Sequence, residues 1–449
     1  MDMTSGPILK KMLLFTLPLM FSSILQLLFN AADIVVVGRF AGDDSLAAVG
    51  STTALVNLMT NLFMGLSVGT NVVCARYIGA GKDKSVSRVV HTSIMIGFIS
   101  GLIMTVVGFF GAGGVLKLMQ TPKEVLPLAV IYLRIYFFGM PAMMVYNFAA
   151  AILRAVGDTK RPLYYLFASG IVNVVLNLLF VIVFDMGVAG VALATIISQF
   201  LSATLVIRCL MKETGAIKLI LKKLGIDKNI FFKIIRIGLP AGFQGIVFSL
   251  SNVVIQASVN GFGNIGVAGN SAAGNIEGFV WVAMNAFHQS TISFVSHNYG
   301  GGKYERINKI VVTGLICVTV TGLVLGNLAY FFGTPLMSIY SDSATVIKAG
   351  LVRLSIISTT YALCGIMDVM VGALRGIGSS VLPMIVSVVG VCGLRLLWIG
   401  TIFQIPRFHV IKTVYWSYPI SWVLTFAVHL LSFIILRRKM TKRLMATNI

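Results

Sequence analysis

The sequence predicts an all-α polytopic membrane protein, with twelve transmembrane helices in two pseudo-symmetric lobes of six and both termini in the cytoplasm. Three observations carry that expectation. Of 449 residues, 57% are hydrophobic and 11% charged, with a mean hydropathy of +0.94, more apolar surface than a soluble core of this length hides. The apolar residues gather in twelve runs, each long enough to cross about 30 Å of hydrocarbon. The second half of the chain also repeats motifs of the first at an offset of 221 residues.

The first run, 13–38, follows the basic start "MDMTSGPILKKMLLF". No small-residue cleavage site closes a short apolar region there, so the run is kept as a helix rather than a signal peptide. The second and third runs, 46–78 and 89–110, flank Gly-Ala-Gly-Lys at 79–82. That tetrapeptide lacks the spacing, the following Ser/Thr and the preceding strand of a phosphate loop, and reads as a tight cytoplasmic turn. The fourth run, 125–152, holds the cluster "GMPAMMVYNF", whose methionines can adapt to varied apolar ligands but are more often lipid-facing filler. The fifth and sixth runs are 163–184 and 187–211. The polar stretch 212–236 is a cytoplasmic linker between an N-lobe, 1–211, and a C-lobe, 237–449. Its basic amphipathic spacing fits a helix on the membrane surface, and a plain solvated linker fits equally. Runs at 237–260, 267–296, 310–332, 346–373, 381–404 and 414–436 complete the C-lobe, with a basic tail. Period-two alternation is absent, so the spans are helices and not barrel strands.

A net charge of +21 would suggest nucleic acid in a soluble protein, but placement decides otherwise. With a cytoplasmic N-terminus, 26 of the 35 basic residues fall in cytoplasmic segments, eight on the other side, and Arg395 inside a helix. The excess sets orientation and contact with anionic lipid, with no nucleic-acid partner. The five cysteines lie in or beside apolar runs without CxxC pairs and read as small core residues.

The repeat matches Gly79, Gly81 and Lys82 to Gly300, Gly302 and Lys303, and Leu153, Arg154, Gly157 and Pro162 to Leu374, Arg375, Gly378 and Pro383. Pro18 and Pro240 follow at an offset one residue longer. Six helices per half, an even number, give parallel repeats about an axis along the membrane normal, and two similar lobes imply a site between them.

Asp33, Glu277 and Asp368 lie well inside predicted helices, where a charge costs about 2.5–3.5 kcal/mol on insertion scales. Such acids are functional candidates or helix-packing groups, and Arg395 is the expected internal partner of Glu277 or Asp368. Asn173 and Asn177, four apart, share one helical face and offer amide oxygens to a hard cation, with the Thr195 hydroxyl as an addition; interhelical packing by polar residues is the competing reading. Asn147 maps onto Asp368 through the repeat. Pro18 and Pro240 sit early in the first helix of each half, where a missing hydrogen bond eases a bend. His91, His288 and His429 stand alone. No Ser/His/Asp set, zinc box or pair of catalytic carboxylates appears, so no enzyme and no cofactor is expected.

The doubled six-helix plan, "LP" opening each half, "ADIVVVGRF" with Asp33 five before Gly38, "YIGAGK" and "ALRG" together resemble the multidrug and toxic compound extrusion (MATE) transporters over essentially the whole chain. The resemblance implies a V-shaped pair of lobes, a functional monomer in a bacterial cytoplasmic or inner membrane, and antiport of organic, often cationic, drugs or toxic metabolites against Na⁺ or H⁺. It places a Na⁺ or H⁺ coupling site on Asp33, Asn177 and Thr195, with Asn173 beside it and Gln26 one to two turns before the acid. It also implies that Pro18 bends the first helix when the acid is protonated. The second lobe departs from the family: Ser251 and Asn252 occupy the region of an expected acid, and Asp368 lies one turn late. Asp368, Glu277, Asn147 and Arg395 are therefore candidates for a substrate cleft. A lipid-linked oligosaccharide flippase, which shares the broader fold, is the rival transport reading. A channel is disfavoured by the doubled architecture and the lack of a filter-like segment.

Overall fold

A computed structural model describes residues 1–119 and 121–447, so the last two residues of the expected 237–449 lobe lie outside the described residues. Every regular element among the described residues is helical. The first half contains α1 (Ile8–Phe40), α2 (Asp43–Gly79), α3 (Asp83–Leu118), α4 (Leu126–Phe138), α5 (Met140–Ala155), α6 (Lys160–Leu178) and α7 (Gly187–Lys212). The second contains α8 (Lys228–Asn260), α9 (Gly263–Gly300), α10 (Tyr304–Phe331), α11 (Gly333–Ser338), α12 (Ala344–Arg353), α13 (Ala362–Gly376), α14 (Val381–Ser387), α15 (Leu394–Gly400) and α16 (Ile411–Thr447).

Among the described residues nine helices are long and apolar enough to cross a membrane, and eleven spans result if two bent pairs are each counted once. The pairs are α4 with α5, bent by 46°, and α12 with the helix ending at Gly376, bent by 44°. They occupy the runs expected at 125–152 and 346–373. The run expected at 267–296 lies in α9, whose 38 residues are ample in length but too polar to pass as a lipid-facing span. Its Asn270, Glu277, His288, Ser290, Thr291, Ser293 and Asn298 are buried against other helices rather than facing hydrocarbon.

The internal repeat recurs as backbone geometry. Gly81 at φ 65° and Gly302 at φ 69° end α2 and α9, and the next N–H closes back on the helix: Lys82 donates to Tyr77 O at 2.9 Å, Lys303 to Asn298 O at 2.8 Å. Gly157 at φ 84° and Gly378 at φ 88° do the same after α5 and α13, with Asp158 donating to Leu153 O and Ser379 to Leu374 O, both at 2.9 Å. A left-handed residue followed by a six-to-one bond ends a helix, and glycine adopts that conformation without a Cβ penalty.

The chain forms two compact units. One comprises Met1–Thr4 and Leu17–Gly242, the other Ser5–Thr16 and the chain from Phe243 onward. The start of α1 therefore belongs to the second unit, where Phe15 packs edge-on against Phe294 at 5.7 Å and the Thr16 and Ser290 hydroxyls share a 2.6 Å hydrogen bond. The start of α8 belongs to the first unit, and its approach to α2 is close because four glycines meet. A Cβ on Gly65 would stand 2.6 Å from Gly238 O, and one on Gly238 would stand 2.6 Å from the Leu66 Cα. Gly69 and Gly242 complete the two small-xxx-small faces that let helix backbones touch. Pro18 and Pro240 lie within two residues of the positions where α1 and α8 change unit.

The linker departs from the surface-helix expectation. Between α7 and α8 it makes only two short 3₁₀ turns, Gly215–Ile217 and Leu221–Lys223, because side chains of α3 take its peptide groups. His91 Nε2 accepts the Ile220 N–H at 3.1 Å, and Thr92 Oγ1 accepts the Asp227 N–H at 3.1 Å. Ile217 and Leu219 are buried beneath. The Asp227 carboxylate caps α8 by accepting the Ile230 N–H at 3.1 Å, and Arg88 pairs with it at 3.3 Å. The capping bond first, and Arg88 after it, hold this carboxyl below its ordinary value.

Candidate functional site

In the first unit a polar cluster forms where α1, α4, α6 and α7 bring their side chains together. Asp33 comes from α1. Asn173 and Asn177, one turn apart on α6, lie on the face that four-residue spacing requires. Asn177 Nδ2 donates to Asp33 Oδ1 and to Asn173 Oδ1 at 3.3 Å. Asn173 Nδ2 reaches Thr195 Oγ1 at 3.5 Å, and that hydroxyl donates to Val191 O at 3.0 Å. The α6 helix opens into a π-helical turn, Leu179–Val183, directly after Asn177, a distortion that often marks functional positions in helices.

The expectation based on sequence omitted three members of this cluster. Tyr132 and Tyr136, one turn apart on α4, stack with centroids 5.8 Å apart, and both lie within electrostatic reach of Asp33. Gln199, one turn after Thr195, lies within electrostatic reach of the Tyr136 hydroxyl. Two oxygens of the cluster, Asn177 Oδ1 and Gln199 Oε1, are buried without a hydrogen-bond partner among the described residues. Burying such groups unpaired costs about 1–3 kcal/mol each, so a bound proton or cation that recruits them would recover that loss. A carboxylate, amide oxygens and a hydroxyl are the oxygen donors a hard monovalent or divalent cation takes. Gln26 does not join the cluster: it is exposed on α1, two turns before Asp33.

The acids of the second unit are held differently. Glu277, 2% exposed, is paired with Arg353, whose Nη2 lies 2.7 Å from Oε2 and whose Nε donates to Oε1 at 3.1 Å. Arg353 Nη1 donates to Asn270 Oδ1 at 2.6 Å, and the guanidinium stands 5.7 Å from the rings of Tyr415 and Tyr418. The expected partner, Arg395, is elsewhere. It stacks on Tyr418 at 4.0 Å and donates from Nε to Ser421 Oγ at 3.0 Å. The reading of Arg395 as the partner of Glu277 or Asp368 is thus replaced by the Glu277–Arg353 pair. Arg353 sits at the end of α12, before a second π-helical turn, Leu354–Ser358. Arg395 is likewise not the only arginine buried in the helices, since Arg375 is 6% exposed and donates to Gln244 Oε1 at 2.8 Å.

Among the described residues the Asp368 carboxylate, partly buried on α13, receives only a long contact from Cys364 Sγ at 4.0 Å, while its carbonyl meets His288 Nδ1 at 2.6 Å. Asn147 donates to Met143 O in its own helix at 2.8 Å. His91 clamps the linker, and His429 Nε2 meets Ser387 Oγ at 3.0 Å. No group of three or more His, Cys, Asp or Glu side chains among the described residues is arranged to hold a metal.

The MatE family model matches the chain twice, over residues 18–179 and 240–398, in keeping with the internal repeat. A probable multidrug resistance protein, YoeA, of Bacillus subtilis strain 168 is 27% identical over 395 residues, 86% of this chain and 85% of that one. A second from the same organism, YpnP, is 28% identical over 396 residues, 88% of each. Among solved structures, a MOP superfamily transporter from Pyrococcus furiosus superposes with a TM-score of 0.91 at 23% identity, covering 97% of both chains.

Proposed function

Because the chain belongs to the MATE family of efflux transporters, we propose that it is a secondary active multidrug antiporter of the bacterial cytoplasmic membrane. In this reading it exports organic, cationic or amphipathic compounds in exchange for Na⁺ or H⁺, as a functional monomer with cytoplasmic termini that works by alternating access. The relatives are multidrug resistance proteins by name, which supports the substrate class.

One observation carries the coupling role: Asp33 is the carboxylate of the first-unit cluster, and Asn177 Oδ1 beside it is buried with no hydrogen-bond partner among the described residues. A cation or proton arriving at Asp33 neutralises the acid and draws in the Asn177 oxygen. Ion and drug must bind different conformations with different affinities, since a ligand indifferent to the two states shifts neither. Pro18, where α1 lacks a backbone N–H and leaves one unit for the other, is where bending accompanies that neutralisation. Pro240 occupies the matching place in α8.

The test is ethidium efflux in inverted vesicles with a Na⁺ gradient and a H⁺ gradient imposed separately, for wild type and Asp33→Asn. Gradient-driven transport by wild type and its loss in an inserted, folded mutant support the proposal and identify the ion. Transport that survives in Asp33→Asn would sink the coupling role. Absence of transport in wild type would make the flippase reading the one to test.

A further inference from the structure

We propose that the first unit binds the phosphate of an anionic phospholipid at Arg134, on the lipid-facing side of α4 and away from the cluster around Asp33. The inference goes beyond the export reading and needs only that these helices span a bilayer.

Pro127, Ile131, Arg134 and Phe138 are the exposed stripe of α4, spaced three and four apart as one helical face requires. The opposite face, with Ala129, Tyr132, Leu133 and Phe137, is buried and brings Tyr132 within reach of Asp33. Arg134 therefore stands on the side of the α4–α5 span that meets lipid, where a charge is costly without a counter-anion.

Arg353, Arg375 and Arg395, within the helices of the second unit, are turned to protein partners: Glu277, Gln244 and Ser421. Arg134 makes no hydrogen bond and no ion pair with a described residue. Its guanidinium stands 5.2 Å from the Phe109 ring of α3, and Phe110 and Phe138 hold that ring from 5.4 Å and 5.5 Å. A guanidinium resting on an aromatic face keeps its N–H edge open for an anion.

The helix aims that edge at the headgroups. Arg134 follows Leu126, the first residue of α4, by about 12 Å at 1.5 Å per residue, and the charged Lys123 and Glu124 mark the water just before it. In a helix the Cα–Cβ bond leans toward the N-terminus, here toward Lys123, so the side chain climbs to the phosphate level while its methylene stem stays beside apolar surface. With cytoplasmic termini, this is the outer leaflet.

A planar guanidinium takes a phosphate in two parallel hydrogen bonds. Lys117, in the last turn of α3, and Lys123 are exposed at the same end, and Glu124 alone offsets them in the α3–α4 connection. A phosphatidylglycerol headgroup brings an uncompensated negative charge to that surplus, whereas the choline of phosphatidylcholine adds a cation to it. The internal repeat supplies a comparison: at the offset of 221 residues Phe110 corresponds to Phe331 and Arg134 to Ser355. Phe331 is exposed as Phe110 is, so the second unit presents the matching aromatic position without the arginine.

The test places the photoreactive residue benzoylphenylalanine at Phe110 or at Phe331 of the full-length protein, in nanodiscs of equal phosphatidylglycerol and phosphatidylcholine with matched acyl chains. Mass spectrometry of the crosslinked peptides reads which lipid stands at each position. Phe110 should favour phosphatidylglycerol about tenfold more strongly than Phe331 does, the discrimination of one charge-assisted contact. Arg134→Gln should bring the Phe110 ratio down to the Phe331 value, and Arg134→Lys should leave it between the two. Equal ratios at the two positions overturn the site, as does a Phe110 ratio that Arg134→Gln leaves unchanged. Millimolar glycerol phosphate should not alter the ratio; if it abolishes the preference, the arginine takes any soluble phosphate and the lipid assignment fails. The comparison of Phe110 with Phe331 needs no charge variant, so it stands even if Arg134→Gln fails to insert. Lipid capture is read without transport, so failure here leaves the export reading intact.

Discussion

Replacing Glu277 by leucine leaves Arg353 charged, 13% exposed at its side chain and without its carboxylate. Removing one partner of a buried ion pair costs about 3–5 kcal/mol, because the remaining charge is left uncompensated. Here part of the compensation survives: the 2.6 Å bond to Asn270 remains, as do the rings of Tyr415 and Tyr418 at 5.7 Å. The expected loss therefore lies at the lower end, about 3 kcal/mol. Removing both charges together, Glu277→Leu with Arg353→Met, leaves an apolar pair of similar volume and abandons one hydrogen bond at Asn270, a cost of about 1 kcal/mol. The difference, about 2 kcal/mol, is the stability the double mutant regains over Glu277→Leu; the coupling between the two residues is larger by the loss in Arg353→Met alone, which the double-mutant cycle also measures. Equilibrium unfolding in mixed detergent and SDS micelles, followed by tryptophan fluorescence, supplies the four free energies. A single-mutant loss below about 1 kcal/mol, or a double mutant no more stable than Glu277→Leu, would refute the assignment of this pair to structure and return Glu277 to the substrate candidates.

Three further outcomes follow from the same reasoning. Gly65→Ala should destabilise the protein by about 1–3 kcal/mol, since its Cβ would stand 2.6 Å from Gly238 O; an unchanged unfolding midpoint would contradict the close α2–α8 approach. The Asp227 carboxyl is held below its ordinary value of 3.8 by its cap on α8. Its contribution is therefore present at neutral pH and is lost as pH falls through that value and below. Limited proteolysis at Lys222 and Lys223 should accelerate on acidification in wild type, and Asp227→Asn should remove that pH dependence. Asn177→Ala, which deletes a buried oxygen beside Asp33, should raise the half-saturating ion concentration for efflux about tenfold, equivalent to one lost ligand contact of about 1.4 kcal/mol; an unchanged ion dependence would place the coupling elsewhere.

Much of this architecture is legible along one dimension. Apolar runs find spans because a lipid-facing helix must be apolar over its whole length, and Gly81, Gly157, Gly302 and Gly378 are legible because a left-handed turn has a strong residue preference. The four-residue spacing of Asn173 and Asn177 is likewise a property of one helix. Hydropathy is blunted where a helix is shielded from lipid, as α9 is, since its polar residues carry no penalty there, although the apolar run at 267–296 still marks it. It fails at Tyr132, Tyr136 and Gln199, because a tyrosine or glutamine in an apolar run looks the same whether it serves packing or a site. The pairing of Glu277 with Arg353 spans 76 residues, and nothing in either local sequence selects Arg353 over Arg395.

The cost of a polar group inside a membrane does not by itself separate structure from function, since Glu277, Asp33 and Arg395 all carry it. What separates them is whether the protein supplies the partner. Glu277 has its cation in the fold, and its charge is settled before any ligand arrives. Among the described residues Asp33 has only an amide donor, with an unpaired oxygen on Asn177 beside it, while Arg395 has no carboxylate partner and Asp368 only a long thiol contact. A folded chain that leaves these groups incomplete is stable only because the deficits are few. Each deficit is also where binding free energy is available to an incoming ion or compound, and a transporter needs that energy to be unequal between its states.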